Sequence, residues 1–347
     1  MNGSLGKLDK LPRVALAHLP TPLEAMDNLA AALGRTGGLY VKRDDCTGLA
    51  FGGNKVRHLE FYLGVARARG ADTVLITGAI QSNFSRCMAA AARKLGMGCH
   101  IQLEDQVPDK VGEYRTSGNV LVDNMLGATL HAYTGDPEGA NRRIDEIAAA
   151  LKAEGRNPYV VPRGAGHKPL GALGYVVAAQ EILTQIGDRG IRIDEIVLAS
   201  GTGASQAGLL FGLRALGSDI RVTGVCVREE SAIQKARVAG LCGGIAEVLE
   251  VDPIVRDGDV IAMDDFLAPG YGRLNEPTLR ALDMAARHEA LILDPAYTAK
   301  AMATAILRAR ETGPDYGIMF LHTGGEPGAF AYSESLTAEL EKLRAEK

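Results

Sequence analysis

Short apolar runs rich in β-branched residues alternate along the chain with longer segments whose apolar positions recur every three or four residues. The runs 39–42, 73–77, 99–103, 129–133, 158–161, 195–199, 221–227 and 316–321 have strand length and composition. Segments 85–95, 142–151 and 170–186 carry the helical spacing. Alternation of this kind predicts βαβ units, and therefore an α/β fold of parallel-rich twisted sheets flanked by helices. No repeat, low-complexity tract or long linker interrupts the pattern. A second domain is therefore expected as an insertion into the first.

Length supports two domains or one large α/β unit, because 347 residues exceed what a single core usually holds. A net charge of −4 offers no basic excess for nucleic acid or an anionic membrane surface. Five cysteines, an odd number with no CxxC pair, indicate neither a zinc site nor a disulfide framework. Cys46, Cys87 and Cys99 read as packing thiols in a reducing compartment. The amino-terminal segment lacks a long apolar stretch and no run approaches membrane-spanning length, so a cytoplasmic protein is expected.

Candidate chemistry begins at LASGTGASQAG, residues 198–208, where an apolar strand turns through glycines into a helix. Glycine permits a tight turn, and the free amides of a helix N-terminus attract an anion. Ser200, Gly201, Thr202, Gly203, Ala204 and Ser205 form this cradle, and phosphate is its natural guest. No Walker lysine follows. A dinucleotide fingerprint requires glycine where Gln206 stands, and the one candidate for a ribose-binding acid, Glu229, follows Arg228. An NAD-dependent dehydrogenase stays open as an alternative, as does a tight turn with no ligand.

The stretch FGGNKVRHLE, residues 51–60, places a lysine behind two glycines at a helix entry. Gly52 and Gly53 suit close approach to a flat ring, Asn54 a helix cap, and His58 and Glu60 solvated or capping roles. A reactive Lys55 amine and a phosphate cradle together meet the needs of pyridoxal phosphate. GAIQSNFS, residues 78–85, offers a second anion-binding turn or a simple cap by Ser82 or Asn83. LHTGG, residues 321–325, puts Thr323 at the end of a strand, the edge at which open α/β sheets bind ligands.

GGNK, QSN, SGTGASQAG, GYG, DPAYTAKAM and FLHTGG occur in this order between His18 and Tyr332. The set resembles the fold-type II pyridoxal-phosphate enzymes, in the branch of D-cysteine desulfhydrase and 1-aminocyclopropane-1-carboxylate deaminase. The resemblance implies a tryptophan synthase β-like fold with the cofactor in a cleft between two domains. Residues 1–55 with 166–347 would form the large domain and 56–165 the small inserted one. Lys55 would hold pyridoxal phosphate covalently and then serve as the proton-transfer base. Asn83 would bond its phenolic oxygen, the 200–204 turn its phosphate, and Thr298 and Thr323 its ring region. Gln81, Ser82 and Asn83 would meet the substrate carboxylate, with Tyr271 and Tyr297 near the reacting carbons. A homodimer is also implied.

Within that family the ring-opening deaminases carry glutamate directly after the tyrosine of DPxY, whereas this chain has Thr298. A neutral hydroxyl favours protonation of a ring nitrogen less than a carboxylate does. That suits β-elimination from a substrate such as D-cysteine better than opening a cyclopropane. Phe84 stands where relatives often have histidine. The loop 161–170 carries Arg163, His167 and Lys168, which read either as surface charge or as a basic patch for an anionic β-substituent, as in an L-cysteate sulfo-lyase. Glu276 is a weak candidate for a pocket carboxylate, and the role of His322 stays open.

Overall fold

The computed structural model describes residues 5–107, 109–162 and 167–345. Its strands are β1 (Leu23–Ala25), β2 (Leu39–Arg43), β3 (Thr73–Ala79), β4 (Gly98–Glu104), β5 (Thr129–Tyr133), β6 (Pro158–Val160), β7 (Glu195–Ser200), β8 (Arg221–Cys226), β9 (Ile261–Met263) and β10 (Ile318–His322). They form a six-stranded sheet in the order β1-β2-β10-β7-β8-β9 and a four-stranded sheet in the order β5-β4-β3-β6. Every pairing is parallel except the edge pair β1 and β2. The α/β class read from the alternating pattern holds. The three-residue strands β1 and β9 are too short for that pattern to reveal.

The larger sheet is covered on both faces, and the two-residue period of β7 shows how. Ile196 and Leu198 face the core formed with helices Leu173–Arg189 and Ala204–Ala215. Val197 and Ala199 face the opposite core, with helices Glu276–Glu289 and Thr298–Glu311. Because both faces are apolar, all six residues of β7 are buried. Ile196, Val197 and Leu198 each contribute about 1.5–3 kcal/mol when fully removed from water.

The smaller sheet repeats the scheme. Val74 and Ile76 of β3 pack with Val56, Leu59 and Leu63 of helix Asn54–Ala68 and Met88 of helix Asn83–Lys94. Leu75, between them, faces Ile144, Ile147 and Leu151 of helix Pro137–Ala153. All four strands of this sheet come from within the segment 56–165, while the boundary residue Ala165 lies outside the described residues.

β10, near the end of the chain, lies between β2 and β7, with His322 level with Arg43. The C-terminal ends of β7, β8 and β10 therefore lie along one edge of the larger sheet. Among the described residues no helix is long and apolar enough to cross a membrane.

Candidate active site

Lys55 enters its helix from a loop of unusual backbone. Ala50, Phe51, Gly52 and Gly53 have φ of 44°, 68°, 62° and 112°. A Cβ on Gly52 would lie 2.0 Å from the Asp45 carbonyl oxygen, and one on Gly53 would lie 3.0 Å from that of Thr323. The two glycines thus bring backbone close against backbone. Positive φ at Ala50 and Phe51 costs about 1–3 kcal/mol each. The conformation is held by the Thr47 hydroxyl, which accepts from Gly53 N–H at 2.8 Å, and by Arg86, which donates to the Gly52 carbonyl at 2.7 Å.

Gly53 occupies the cap position of helix Asn54–Ala68, with no capping side chain. Asn54, expected as the cap, is the first helical residue, and its amide donates to Ser205 Oγ at 2.8 Å. His58 Nε2 pairs with the same oxygen at 2.9 Å. Burial, and then the nearby Lys55 charge, hold His58 well below its usual pKa. Glu60 accepts from Arg13 Nε at 2.8 Å and from the amides of Leu16 and Ala17. Neither His58 nor Glu60 is solvated: both are buried. Arg57, one residue before His58, sits in a buried cluster, donating to Asp44 at 2.8 Å and to Glu181 at 3.0 Å. Lys55 itself is half-buried, with Nζ 5.7 Å from the centre of the Phe84 ring. Among the described residues no carboxylate pairs with it. Desolvation lowers its pKa to about 8, with a small opposing effect from Cys87.

The second anion-binding turn divides its tasks. Ser82 is the helix cap, accepting from Ser85 N–H at 3.1 Å. Asn83 Oδ1 is buried with no partner. Gln81, expected near the substrate, is turned away: its amide donates to the carbonyls of Tyr114 and Ser117 and accepts from Asn119 N–H.

At the glycine turn, Gly203 has φ 82° and precedes helix Ala204–Ala215, whose first amides have no acceptor within the helix. Thr202 is exposed at the same point. Ser200, expected in the cradle, is buried between side chains, donating to Gln206 and accepting from Gln234, both at 2.7 Å. Gln206 in turn fills the space left by Gly224, where a Cβ would lie 1.9 Å from its oxygen.

Tyr297 precedes helix Thr298–Glu311, and its ring lies 3.6 Å from where a Gly201 Cβ would stand. Its hydroxyl pairs with that of Tyr271. Burial pushes both phenols up. Thr298 is fully buried, and its hydroxyl donates to Asp294 Oδ1 at 2.7 Å. The side chain expected near a cofactor ring is therefore committed to the protein interior. Thr323 accepts from Asn54 N–H at 3.0 Å through its carbonyl. The Cβ position of Gly325 is 3.1 Å from Asn83 Nδ2. Backbone and side-chain contacts thus gather Lys55, Asn83, Gly201, Tyr271, Tyr297 and Thr323 around one edge of the larger sheet.

Residues 14–324 match the family described as "Pyridoxal-phosphate dependent enzyme". The chain is 40% identical over 338 residues to a D-cysteine desulfhydrase of Klebsiella pneumoniae subsp. pneumoniae, covering 96% of this chain and 100% of that protein. The chain belongs to the pyridoxal-phosphate-dependent enzyme family. Among solved structures, an ACC deaminase homologue superposes with a TM-score of 0.86 at 36% identity, covering 97% of this chain and 99% of that one. Threonine deaminase isoform 2 from Solanum lycopersicum shares the fold, with a TM-score of 0.65 at 17% identity, covering 96% of this chain and 86% of that one. The glycine turn therefore belongs to a pyridoxal-phosphate enzyme and not to a dehydrogenase.

The residues present fit that cofactor. A lysine with no acidic partner among the described residues, a buried amide oxygen with no donor among them and helix amides beside Thr202 without an acceptor in the helix supply an amine, a ring contact and a phosphate site. Several supporting residues carried no signal in the sequence. Lys300 stands in an Ala-rich helix, and its buried amine donates to the carbonyls of Leu267 and Gly270, which holds the loop that carries Tyr271. Ser205 is legible only as a cradle hydroxyl, not as the tie to Asn54.

Other expected residues lie elsewhere. Arg163 is outside the described residues. Lys168 is exposed, and its charge acts on Glu250. Glu250 ends the helix Ser231–Leu249, whereas Gln234, at the other end, contacts Ser200. Nineteen residues separate those ends by about 28 Å. Glu276 is exposed and pairs with Arg280, and Cys46 is exposed rather than packed. Asp45, His322 and Glu326 bring possible metal-ligand atoms within 4.8 Å of one another. Both His322 nitrogens are already engaged, however, with Gly324 N–H and the Ile292 carbonyl.

Proposed function

We propose that the protein is a β-eliminating lyase that converts a small amino acid with a sulfur group on its β-carbon, such as D-cysteine, to pyruvate, ammonia and the released group. One observation carries this reading. The Lys55 amine, with a pKa lowered to about 8 and no acid beside it among the described residues, lies against an aromatic ring next to a helix-terminal phosphate site. The 40% identity to a D-cysteine desulfhydrase supports it. So does Thr298, which brings no carboxylate where ring-opening relatives carry one.

Pyridoxal phosphate, when bound, supplies an aldehyde that captures amines and a conjugated ring that accepts electron density from the substrate α-carbon. The remaining tasks fall to side chains. Nζ of Lys55 takes the α-proton, and burial keeps a large fraction of it neutral near pH 8. The electron pair of that C–H bond forms the Cα–Cβ double bond, and the β-group leaves with its bonding pair. Water then converts the released unsaturated amine to pyruvate and ammonia. The Ser82 oxygen accepts from Ser85 N–H, so its proton is free to bond the substrate carboxylate. The Tyr271–Tyr297 hydroxyl pair can donate a proton to the departing group. Residues 56–165 act as the smaller inserted domain, and the protein works as a cytoplasmic homodimer.

Borohydride reduction of the loaded protein followed by peptide mapping, together with keto-acid release across a panel of β-substituted D- and L-amino acids, tests the reading. Cofactor mass on the Lys55 peptide and pyruvate from β-sulfur or β-chloro amino acids are expected, with both lost in Lys55→Ala. Pyruvate release by Lys55→Ala, or none by the wild type, sinks it.

A further inference from the structure

The segment 264–275, between β9 and helix Glu276–Glu289, carries Tyr271 and forms no strand or helix. Side chains from three places hold its backbone. Asn275, its last residue, donates to the carbonyls of Phe266 at 3.1 Å and Ala268 at 2.6 Å. Tyr332 donates to that of Gly272 at 2.7 Å. Lys300 donates to those of Leu267 at 2.8 Å and Gly270 at 3.3 Å. The Arg228 guanidinium lies over the Tyr271 ring, its carbon 4.5 Å from the centre.

Lys300 differs from the other two tethers in its origin. It stands in the first turn of helix Thr298–Glu311, three residues after Tyr297, the spacing of neighbours on one helix face. The lysine reaches the carbonyl of the peptide that enters Tyr271, and Tyr297 meets the Tyr271 hydroxyl. One helical turn therefore grips the segment at two points, backbone and phenol, and the first sets where the second falls. A lysine is an unfavourable filler for this place. Its side chain is fully buried, and the positive end of the helix dipole lies beside it. Among the described residues no carboxylate pairs with it, and desolvation lowers its pKa to about 8. An apolar side chain would cover the segment at less cost, but it could not reach the two carbonyls.

We infer that Lys300 is a positioning residue for departure of the β-group: by holding the Leu267 and Gly270 carbonyls it sets the Tyr271 hydroxyl against that of Tyr297, where the pair can donate to the leaving atom. This rests on the lyase reading above and deepens it. Lys300 does not touch the substrate. It acts through Tyr271, whose partner Tyr297 borders Gly201 of the phosphate turn. As the bond to the β-carbon breaks, its electron pair gathers on the leaving atom, and a donor already in place stabilises that charge without rearranging first. A donor displaced by a shift of its loop does not. The requirement is strong for a basic leaving group such as hydrosulfide and weak for chloride, which leaves unaided.

Steady-state kinetics of the holoenzyme test the inference with cysteine and β-chloroalanine, each as D- and L-enantiomers, for wild type, Lys300→Met, Tyr271→Phe and the double variant. The readout is the ratio of kcat/KM for the thiol to that for the chloride, which a smaller folded fraction does not move. In Lys300→Met the ratio is expected to fall at least about tenfold, as for loss of a hydrogen bond to a developing charge. Tyr271→Phe should lower it likewise, and the double variant should fall no further than the lower single one. Lys300→Gln, which keeps a donor, should lie between wild type and Met, and it takes the place of Met if that variant does not fold. Without substrate, amide hydrogen exchange across 267–273 should quicken in Lys300→Met and not in Tyr271→Phe. An unchanged ratio in the Lys300 variants, or losses that multiply in the double variant, overturns the assignment and leaves the lyase reading standing. Failure of the wild type on every substrate overturns the lyase reading itself.

Discussion

The side-chain amide of Asn54 donates to the hydroxyl of Ser205 at 2.8 Å, across 151 residues of sequence. That bond ties the helix that carries Lys55 to the first turn of the helix that closes the phosphate cradle. The amine and the anion site are thereby held at a fixed spacing before any ligand arrives.

Asn54→Ala removes this tie and leaves Ser205 with His58 alone. A loss of about 1–2 kcal/mol in unfolding free energy is expected, measurable by urea titration. The same variant should bind pyridoxal phosphate several-fold more weakly in equilibrium dialysis. Unaltered cofactor affinity would show that the cradle holds its spacing without Asn54.

Uptake of cofactor by the apo-protein should follow the ionisation of Lys55. Its pKa is lowered to about 8, so the neutral, nucleophilic amine predominates above that value instead of only above the usual 10.5. Stopped-flow rates should rise with pH and level off past about 8. Phe84→Asp sets a negative charge beside the amine, favours its protonated form and moves the inflection upward. An inflection that stays in place would mean that the ring at 5.7 Å does not set the environment of Lys55.

Gly52→Ala forces a Cβ to within 2.0 Å of the Asp45 carbonyl at a φ of 62°. Backbone strain and overlap together should cost about 3 kcal/mol or more, lowering the melting temperature markedly. Gly34→Ala is a useful control. It shares a positive φ of 72°, but nothing lies within 4 Å of its Cβ position, so a smaller shift is expected.

Thr298→Ala deprives Asp294 of a hydroxyl donor at 2.7 Å and its own N–H of an acceptor at 2.8 Å. A cost of about 2–3 kcal/mol is expected, with most of it restored by Thr298→Ser. Thr298→Glu sets a second carboxylate against the buried Asp294 and should be worse than Ala. If Glu proves equal to wild type in thermal stability, the Asp294 contact does not govern this position.

Much of the fold was legible because burial of both sheet faces leaves continuous apolar runs such as β7 and β10. Lys55 was legible because a lysine behind two glycines at a helix start has few structural uses. The supporting contacts were not, since they join residues far apart in sequence through side chains whose types are common on surfaces. Asn54 looks like a cap until Ser205 is seen beside it, and Arg57 looks solvated until Asp44 and Glu181 enclose it. Ser200 and Gln81 show the converse. Their positions in the motifs are correct, but their polar atoms are consumed by neighbours within the protein. Arg228 drew notice only as a fault in a dinucleotide pattern, because nothing in sequence reveals that Tyr271 lies beneath it.

The place of β10 bears on when the enzyme can come into being. This strand is made after β1 to β9, yet it lies between β2 and β7, and the carbonyl of Thr323 just past it receives the amide that opens the lysine helix. A growing chain on the ribosome therefore has an incomplete larger sheet and no settled lysine until residue 323 has emerged. Truncation before residue 318 should yield a protein that captures no cofactor, and cofactor capture in a translation reaction should lag behind synthesis of the chain.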